Sequence, residues 1–188
     1  MRLTGGEHGG RILTVPADGT RPTQDKVRAA IFSTLATLVP GARVLDLFAG
    51  TGAIGLEAWS RGAAWVEWVE NGRSALRALQ SNVHTLGVSQ DAGKIRAVDV
   101  FRLLSFPCTE GGFDLVIADP PYAEAKTNDW PCLLARLLAE KGWLKPDGIF
   151  VFETEGREPA PDLPGWRLVR DKTYGSTRVL IWVRNAGS

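Results

Sequence analysis

From residue 42 onward, short apolar runs that read as strands take turns with stretches of helical, 3.6-residue spacing. Arg43 to Leu47 reads as a strand, followed by a helix through Leu56 to Ser60 and a second strand from Trp65 to Val69. A helix from Ser74 to Leu86, a strand from Ile95 to Val98 and a strand from Phe113 to Ala118 come next. A helix near Pro131 to Glu140 and a strand from Ile149 to Glu153 continue the series. This alternation predicts an α/β, Rossmann-like doubly wound sheet with right-handed crossovers, whose ligands collect beyond the carboxyl ends of its strands. The ends of the chain break the rhythm. Trp166 to Arg170 and Val179 to Val183 flank Tyr174-Gly175-Ser176 and predict a hairpin added to the sheet edge. The Gly-rich start, with β character at Arg11 to Val15, predicts a small N-terminal β-hairpin and a loop. After it, Thr23 is placed to cap a helix carrying Val27, Ala30, Ile31, Leu35 and Leu38 on one face until Pro40-Gly41.

A length of 188 residues with 44% hydrophobic content allows one substantial core. The expected division is a hairpin appendage over residues 1–20 and one domain over 21–188. No run approaches the roughly 18 apolar residues that span a bilayer, and the first residues lack the apolar core of a secretory signal, so a cytoplasmic protein without a membrane partner is expected. Cys108 and Cys132 are the only cysteines, which supports neither a metal cluster nor a disulfide framework. The net charge of +1 is unevenly spread. Residues 1–43 hold six Lys/Arg against three acids and residues 157–188 again six against three, while residues 44–156 hold ten against fifteen. Basic ends around an acidic middle are compatible with a nucleic-acid footprint and also with an ordinary solvated surface.

Two segments carry candidate chemistry. The strand Val44 to Leu47 runs into Phe48-Ala49-Gly50-Thr51-Gly52-Ala53-Ile54-Gly55, whose glycines match the G-x-G-x-x-G spacing of a dinucleotide site, so a nicotinamide or flavin enzyme competes. Acidic strand ends shift the balance. Asp46 lies where a carboxylate suits an ammonium and would repel a pyrophosphate. Glu70 is placed to accept ribose hydroxyls, and Asp99 with Val100 and Phe101 suits an adenine amino group and ring. Together they favour S-adenosylmethionine as the cofactor.

The second segment is Asp119-Pro120-Pro121-Tyr122, at the end of a buried strand expected beside the first one. An aromatic amino group is a poor nucleophile because its lone pair is delocalised, so its N–H bonds must be held while the lone pair faces an electrophile. Asp119 and the Pro120 carbonyl are candidates to accept those N–H bonds, Pro121 stiffens the turn, and Tyr122 is a stacking platform for the base. A plain polar turn after a strand is the structural alternative.

On these residues the chain resembles the class I S-adenosylmethionine-dependent methyltransferases. Within them it is similar to the bacterial 16S ribosomal RNA guanine-N2 methyltransferases, through Asp46 to Ala58, Asp119 to Tyr122, the early Gly5-Gly6 and Gly10-Arg11, and Arg21-Pro22-Thr23-Gln24-Asp25-Lys26-Val27-Arg28. The resemblance implies a seven-stranded sheet, mostly parallel with a reversed C-terminal hairpin strand, and transfer of one methyl group to guanine N2 of 16S rRNA, with guanine 966 as the family's position. It implies naked 16S rRNA or an assembling small ribosomal subunit as partner, a monomer, and Arg21, Thr23, Asp25 and Arg28 near the acceptor. Arg21 and Arg28 could grip phosphates or merely pair with acids on the first helix. The family commonly has Phe where this chain has Tyr122, and an acid absent here from Asn71-Gly72-Arg73. Two alternatives remain, a DNA adenine-N6 or cytosine-N4 methyltransferase and a nonenzymatic nucleotide-binding module.

Overall fold

The computed structural model describes residues 1–15 and 22–185, with the side chains of residues 22–24 left aside. Seven strands form one sheet in the order β3-β2-β1-β4-β5-β7-β6. They are β1 Arg43–Leu47, β2 Trp65–Glu70, β3 Gly93–Ala97, β4 Phe113–Ala118, β5 Leu144–Thr154, β6 Trp166–Tyr174 and β7 Thr177–Arg184. The first five pair in parallel, and β7 is inserted antiparallel between β5 and β6. The expected doubly wound sheet with a reversed hairpin is therefore present. Its order reverses between β1 and β4, which opens a crevice at their carboxyl ends.

The helices are α1 Pro22–Thr34, α2 Ala53–Ser60, α3 Arg73–Leu86, α4 Val100–Leu104, α5 Tyr122–Thr127 and α6 Trp130–Glu140. They cover both faces of the sheet, and two buried clusters result. One joins Val44, Ile117 and Val151 to Leu3, Phe32 and Leu56. The other joins Leu45, Val116 and Phe150 to Leu134, Leu138 and Trp182. Strands buried on both faces read as continuous apolar runs for this reason.

Helix α1 begins at Pro22, so Thr23 lies in its first turn and not ahead of it as a cap, and the helix ends at Thr34 rather than at Pro40. Beyond Thr34 the chain tightens into turns in which Leu38 N–H and Val39 N–H both donate to Leu35 O. The short α4 and α5 were not expected from spacing. The N-terminal hairpin is a single antiparallel bridge, Arg2↔Ile12, and it is fastened to the sheet's first cluster by Leu3 and Leu13, which are 1% and 2% exposed. At the other end, Gly175 at φ 63 makes the two-residue turn between β6 and β7. Strand β6 is outermost, and its register shifts between Leu168 and Arg170.

Candidate active site

The glycine loop leaves β1 through Phe48, a non-glycine residue at φ 59, and continues through Gly50 at φ 57 and Gly52 at φ 80 into α2. The three motif glycines do different work. A Cβ on Gly50 would approach nothing closer than 4.0 Å, so its face is open. A Cβ on Gly52 would strike Leu79 Cδ1 at 2.3 Å, and one on Gly55 would strike Trp68 Nε1 at 2.2 Å. Room for a ligand is thus left at Gly50, whereas Gly52 and Gly55 let α2 press onto the Trp68 ring of β2. Trp68 Nε1–H donates to Gly52 O at 3.3 Å and ties the ring to the loop.

Each acidic strand end has a definite position. Asp46 is fully buried; its Oδ2 accepts the Gly55 N–H at 2.8 Å, while Oδ1 has no partner among the described residues. Burial raises this carboxyl to about 8 despite the Gly55 hydrogen bond, with Asp119 and Glu70 adding repulsion. Glu70 pins the loop to the sheet. Its Oε2 accepts Gly50 N–H at 2.7 Å, and its Oε1 accepts Asn71 N–H at 2.9 Å and Gly72 N–H at 2.7 Å. A carboxylate offers about four acceptor sites, so Glu70 as placed has capacity for one ribose hydroxyl and takes a second only by releasing a backbone donor. Asp99 accepts Arg102 N–H at 2.9 Å and caps α4, the ordinary structural duty of such a residue. Val100 beside it is buried, and Phe101 packs edge-on against Phe48 and Trp130 with centroids 6.1 and 4.9 Å away. Phe48 and Trp130 stack at 5.2 Å, so the loop's first residue is clamped by an aromatic from α6.

Across the switch point, Asp119 N–H reaches Leu47 O at 3.5 Å. The registers Leu47↔Ala118 and Ala118↔Phe152 place Phe48, Asp119 and Glu153 in the next row of the sheet. Side chains in one row share a face, so Asp119 and Glu153 lie together with Asp46 two rows back on the same face, while Phe48, past the end of β1 at φ 59, turns its ring to the opposite face against Phe101 and Trp130. Phe48, Ala49, Gly50, Asp119 and Glu153 line one cavity of about 230 Å³, with Met1 and Arg28 on its wall. Burial raises the Asp119 carboxyl to about 6. Glu153 is pushed well above the usual carboxylate range, by burial first and then by Asp119, with Arg28 opposing and Asp46 reinforcing.

Pro120 is buried and Pro121 is the residue before α5, where its carbonyl accepts Ala125 N–H at 3.0 Å. Tyr122, in the first turn of α5, lines a second and larger depression of about 690 Å³ with Lys126, Arg157, Gly175 and Arg178. Burial and then the Asp119 charge hold its phenol up at about 12, so it stays protonated at neutral pH.

The N-terminal motif is only partly brought to the site. Arg21 lies outside the described residues, as does the side chain of Thr23. Arg28 reaches the cavity wall, but it is 3% exposed and committed to protein partners. Its guanidinium donates to Glu57 Oε2 at 3.3 Å, Asp25 Oδ1 at 2.9 Å and Arg2 O at 2.5 Å. This is the ion-pairing role, and with these partners Arg28 has little left for a phosphate. Glu57, fully buried on α2, also accepts Thr4 N–H and Thr4 Oγ1–H at 2.7 Å each and Arg61 Nε–H at 2.8 Å. It joins the hairpin, α1 and α2. Local spacing marks only its i,i+4 pair with Arg61, because the partners at Arg28 and Thr4 lie 29 and 53 positions away. Glu153 did carry a signal, as one more acid closing a strand of the series.

A family model described as conserved hypothetical protein 95 matches residues 1–183. Ribosomal RNA small subunit methyltransferase D of Escherichia coli K12 is 35% identical over 99% of this chain and 91% of its own length. The protein of the same name from Haemophilus influenzae is 33% identical over 93% of this chain and 89% of its own. A solved Escherichia coli chain named as a candidate methyltransferase, yhhF, superposes with a TM-score of 0.85 at 33% identity, covering 99% of this chain and 98% of that one. Matched along nearly its whole length by this model and these relatives, the chain belongs to the conserved hypothetical protein 95 family, that of the small-subunit ribosomal RNA methyltransferases D.

Proposed function

We propose that the chain is an S-adenosylmethionine-dependent methyltransferase that modifies the exocyclic N2 of a guanine in small-subunit rRNA. The observation that carries the reading is the row Phe48, Asp119, Glu153. It puts an open glycine face and a half-buried acid of suitable proton affinity in one cavity between adjacent strand ends. The residues present suit the donor. Gly50 leaves space where a Cβ would intrude, Asp46 Oδ1 lacks a partner that an ammonium would supply, and Glu70 stands at the end of β2 for a ribose. Asp99 and Val100 flank the third strand end for the adenine.

When bound, the donor supplies a methyl carbon on a positively charged sulfur. The chain's own residues supply the rest. Asp119 accepts one N–H of the amino group and the Pro120 carbonyl accepts the other, which turns the nitrogen lone pair toward the methyl carbon. As the new N–C bond forms and the C–S bond breaks, Asp119 takes the proton the nitrogen sheds. A group near pH 6 is largely ionised at neutral pH and still able to hold that proton, the balance general-base catalysis favours. Tyr122 faces the larger depression, where a base extruded from RNA would stack at roughly 1–3 kcal/mol. The partner is small-subunit rRNA, free or in an assembling subunit, met by a monomer in the cytoplasm.

The test is transfer of a labelled methyl group to under-methylated small-subunit rRNA, with nucleoside analysis of the product. The label is expected in N2-methylguanosine. Asp119→Asn is expected to lower turnover about 100- to 10,000-fold while donor affinity by titration changes little. Label confined to DNA, or equal loss of donor affinity, would overturn the assignment.

A further inference from the structure

Glu153 closes β5 beside Asp119, yet the chemistry above gives it no task. It is 7% exposed, it lines the cavity with Gly50 and Asp119, and no hydrogen bond from a described residue reaches its carboxyl group. With no donor from the described residues on it, this carboxyl takes its hydrogen bonds from whatever enters the cavity, water or ligand. The surrounding groups come from four elements. Arg28 faces it from α1, Asp46 from β1, Asp119 from β4 and Tyr122 from α5. Arg28 is already committed to Asp25 and Glu57, which leaves the carboxyl available to a ligand.

We propose that Glu153 reads the base, its carboxyl group engaging N1–H and O6 of the guanine whose N2 faces Asp119. The inference rests on the guanine-N2 reading and adds to it the residue that selects the base. With Asp46 and Asp119 close by and Arg28 the opposing charge, burial and the neighbouring acids push Glu153 well above the usual carboxylate range, toward its neutral form, while Asp119 lies at about 6. A neutral carboxyl offers one acceptor and one O–H donor side by side. Guanine presents N1–H and then O6 next along the ring from N2, so both groups pair. Beside the amino group of adenine come a bare ring nitrogen and then a C–H. In cytosine come a ring nitrogen and a carbonyl, both acceptors. Neither satisfies both sides of a neutral carboxyl.

The experiment first uses wild-type protein and labelled donor to locate the modified nucleotide in under-methylated small-subunit rRNA. Synthetic RNA fragments then carry either guanine or 2-aminopurine there; the latter keeps the amino group and lacks N1–H and O6. Wild-type kcat/KM is expected to favour guanine by about 10- to 100-fold, the discrimination a good bidentate contact gives. Glu153→Ala should lose that preference, falling on guanine while changing little on 2-aminopurine. Glu153→Gln, which keeps a neutral acceptor and donor, should retain most of it. Titration with S-adenosylhomocysteine and circular dichroism check that the donor site and fold persist. Equal loss on both substrates, or Glu153→Gln behaving like Glu153→Ala, overturns the role of Glu153 and leaves the guanine-N2 reading standing. No label in guanine from wild-type protein overturns both.

Discussion

Replacing Glu57 by alanine removes the acceptor shared by three parts of the chain. Glu57 is completely buried, and the more buried of its two cations, Arg28, is 3% exposed. The replacement leaves that guanidinium under the hairpin with only Asp25 and the Arg2 carbonyl, and it strips Thr4 of the acceptor for both its N–H and its hydroxyl. Breaking a buried pair from one side costs about 3–5 kcal/mol, because a desolvated charge stays behind. In a chain of 188 residues each kcal/mol moves the unfolding midpoint by about 2–4 °C, so a fall of about 6–20 °C is expected. Calorimetry of wild type and Glu57→Ala measures it, and amide exchange at Thr4 shows whether the hairpin loosens before the sheet. The paired change Glu57→Leu with Arg28→Met should recover most of the loss, since it buries no unmatched charge. A midpoint within about 2 °C of wild type for Glu57→Ala alone would refute the argument, since it would value the buried pair at under about 1 kcal/mol.

Two further outcomes follow from the site. The Asp46 carboxyl holds its proton up to about pH 8 when folded but only to about 3.8 otherwise, so its protonation favours the folded state less and less as pH rises through that window. Denaturant midpoints of the ligand-free protein should therefore fall between pH 4 and 8 by more for wild type than for Asp46→Asn, and parallel curves would contradict the assignment. Gly55→Ala places a methyl 2.2 Å from Trp68 Nε1 and 2.8 Å from Val66 Cγ1, an overpacking expected to cost about 1–3 kcal/mol in thermal unfolding. Gly50→Ala meets open space, so beyond the cost of its φ it should act on donor affinity; the reverse order of effects would misplace the ligand.

What the sequence made legible follows from burial. Strands β1 and β4 have almost no exposed residue, and their apolar runs were readable nearly to the residue. Strand β3 is half-buried along its length, its pattern is diluted, and it starts at Gly93 where spacing suggested Ile95. Helices α4 and α5, of five and six residues, are too short to show a helical repeat. The acids show the same limit. Asp46, Glu70, Asp99 and Asp119 announced themselves by position at strand ends, but position does not reveal what each carboxylate already holds. Glu70 is largely occupied by backbone donors and Asp99 caps a helix. For Arg28 in the Arg21 to Arg28 motif, both a phosphate grip and an ion pair were open readings, and its pairing with Glu57 is visible only once the chain has folded.

Strand β6 leaves one row of backbone donors and acceptors facing water, and Leu168 and Val169 on it are 40% and 44% exposed. An uncovered strand of this kind is a template onto which another copy could add. Two features oppose self-association here, the bulge between Leu168 and Arg170 and the exposed cations Arg167 and Lys172. The colloidal behaviour of the protein is thereby tied to ionic strength. Salt that screens those cations removes a barrier between molecules, leaving the irregular register as the remaining guard against sheet-to-sheet growth.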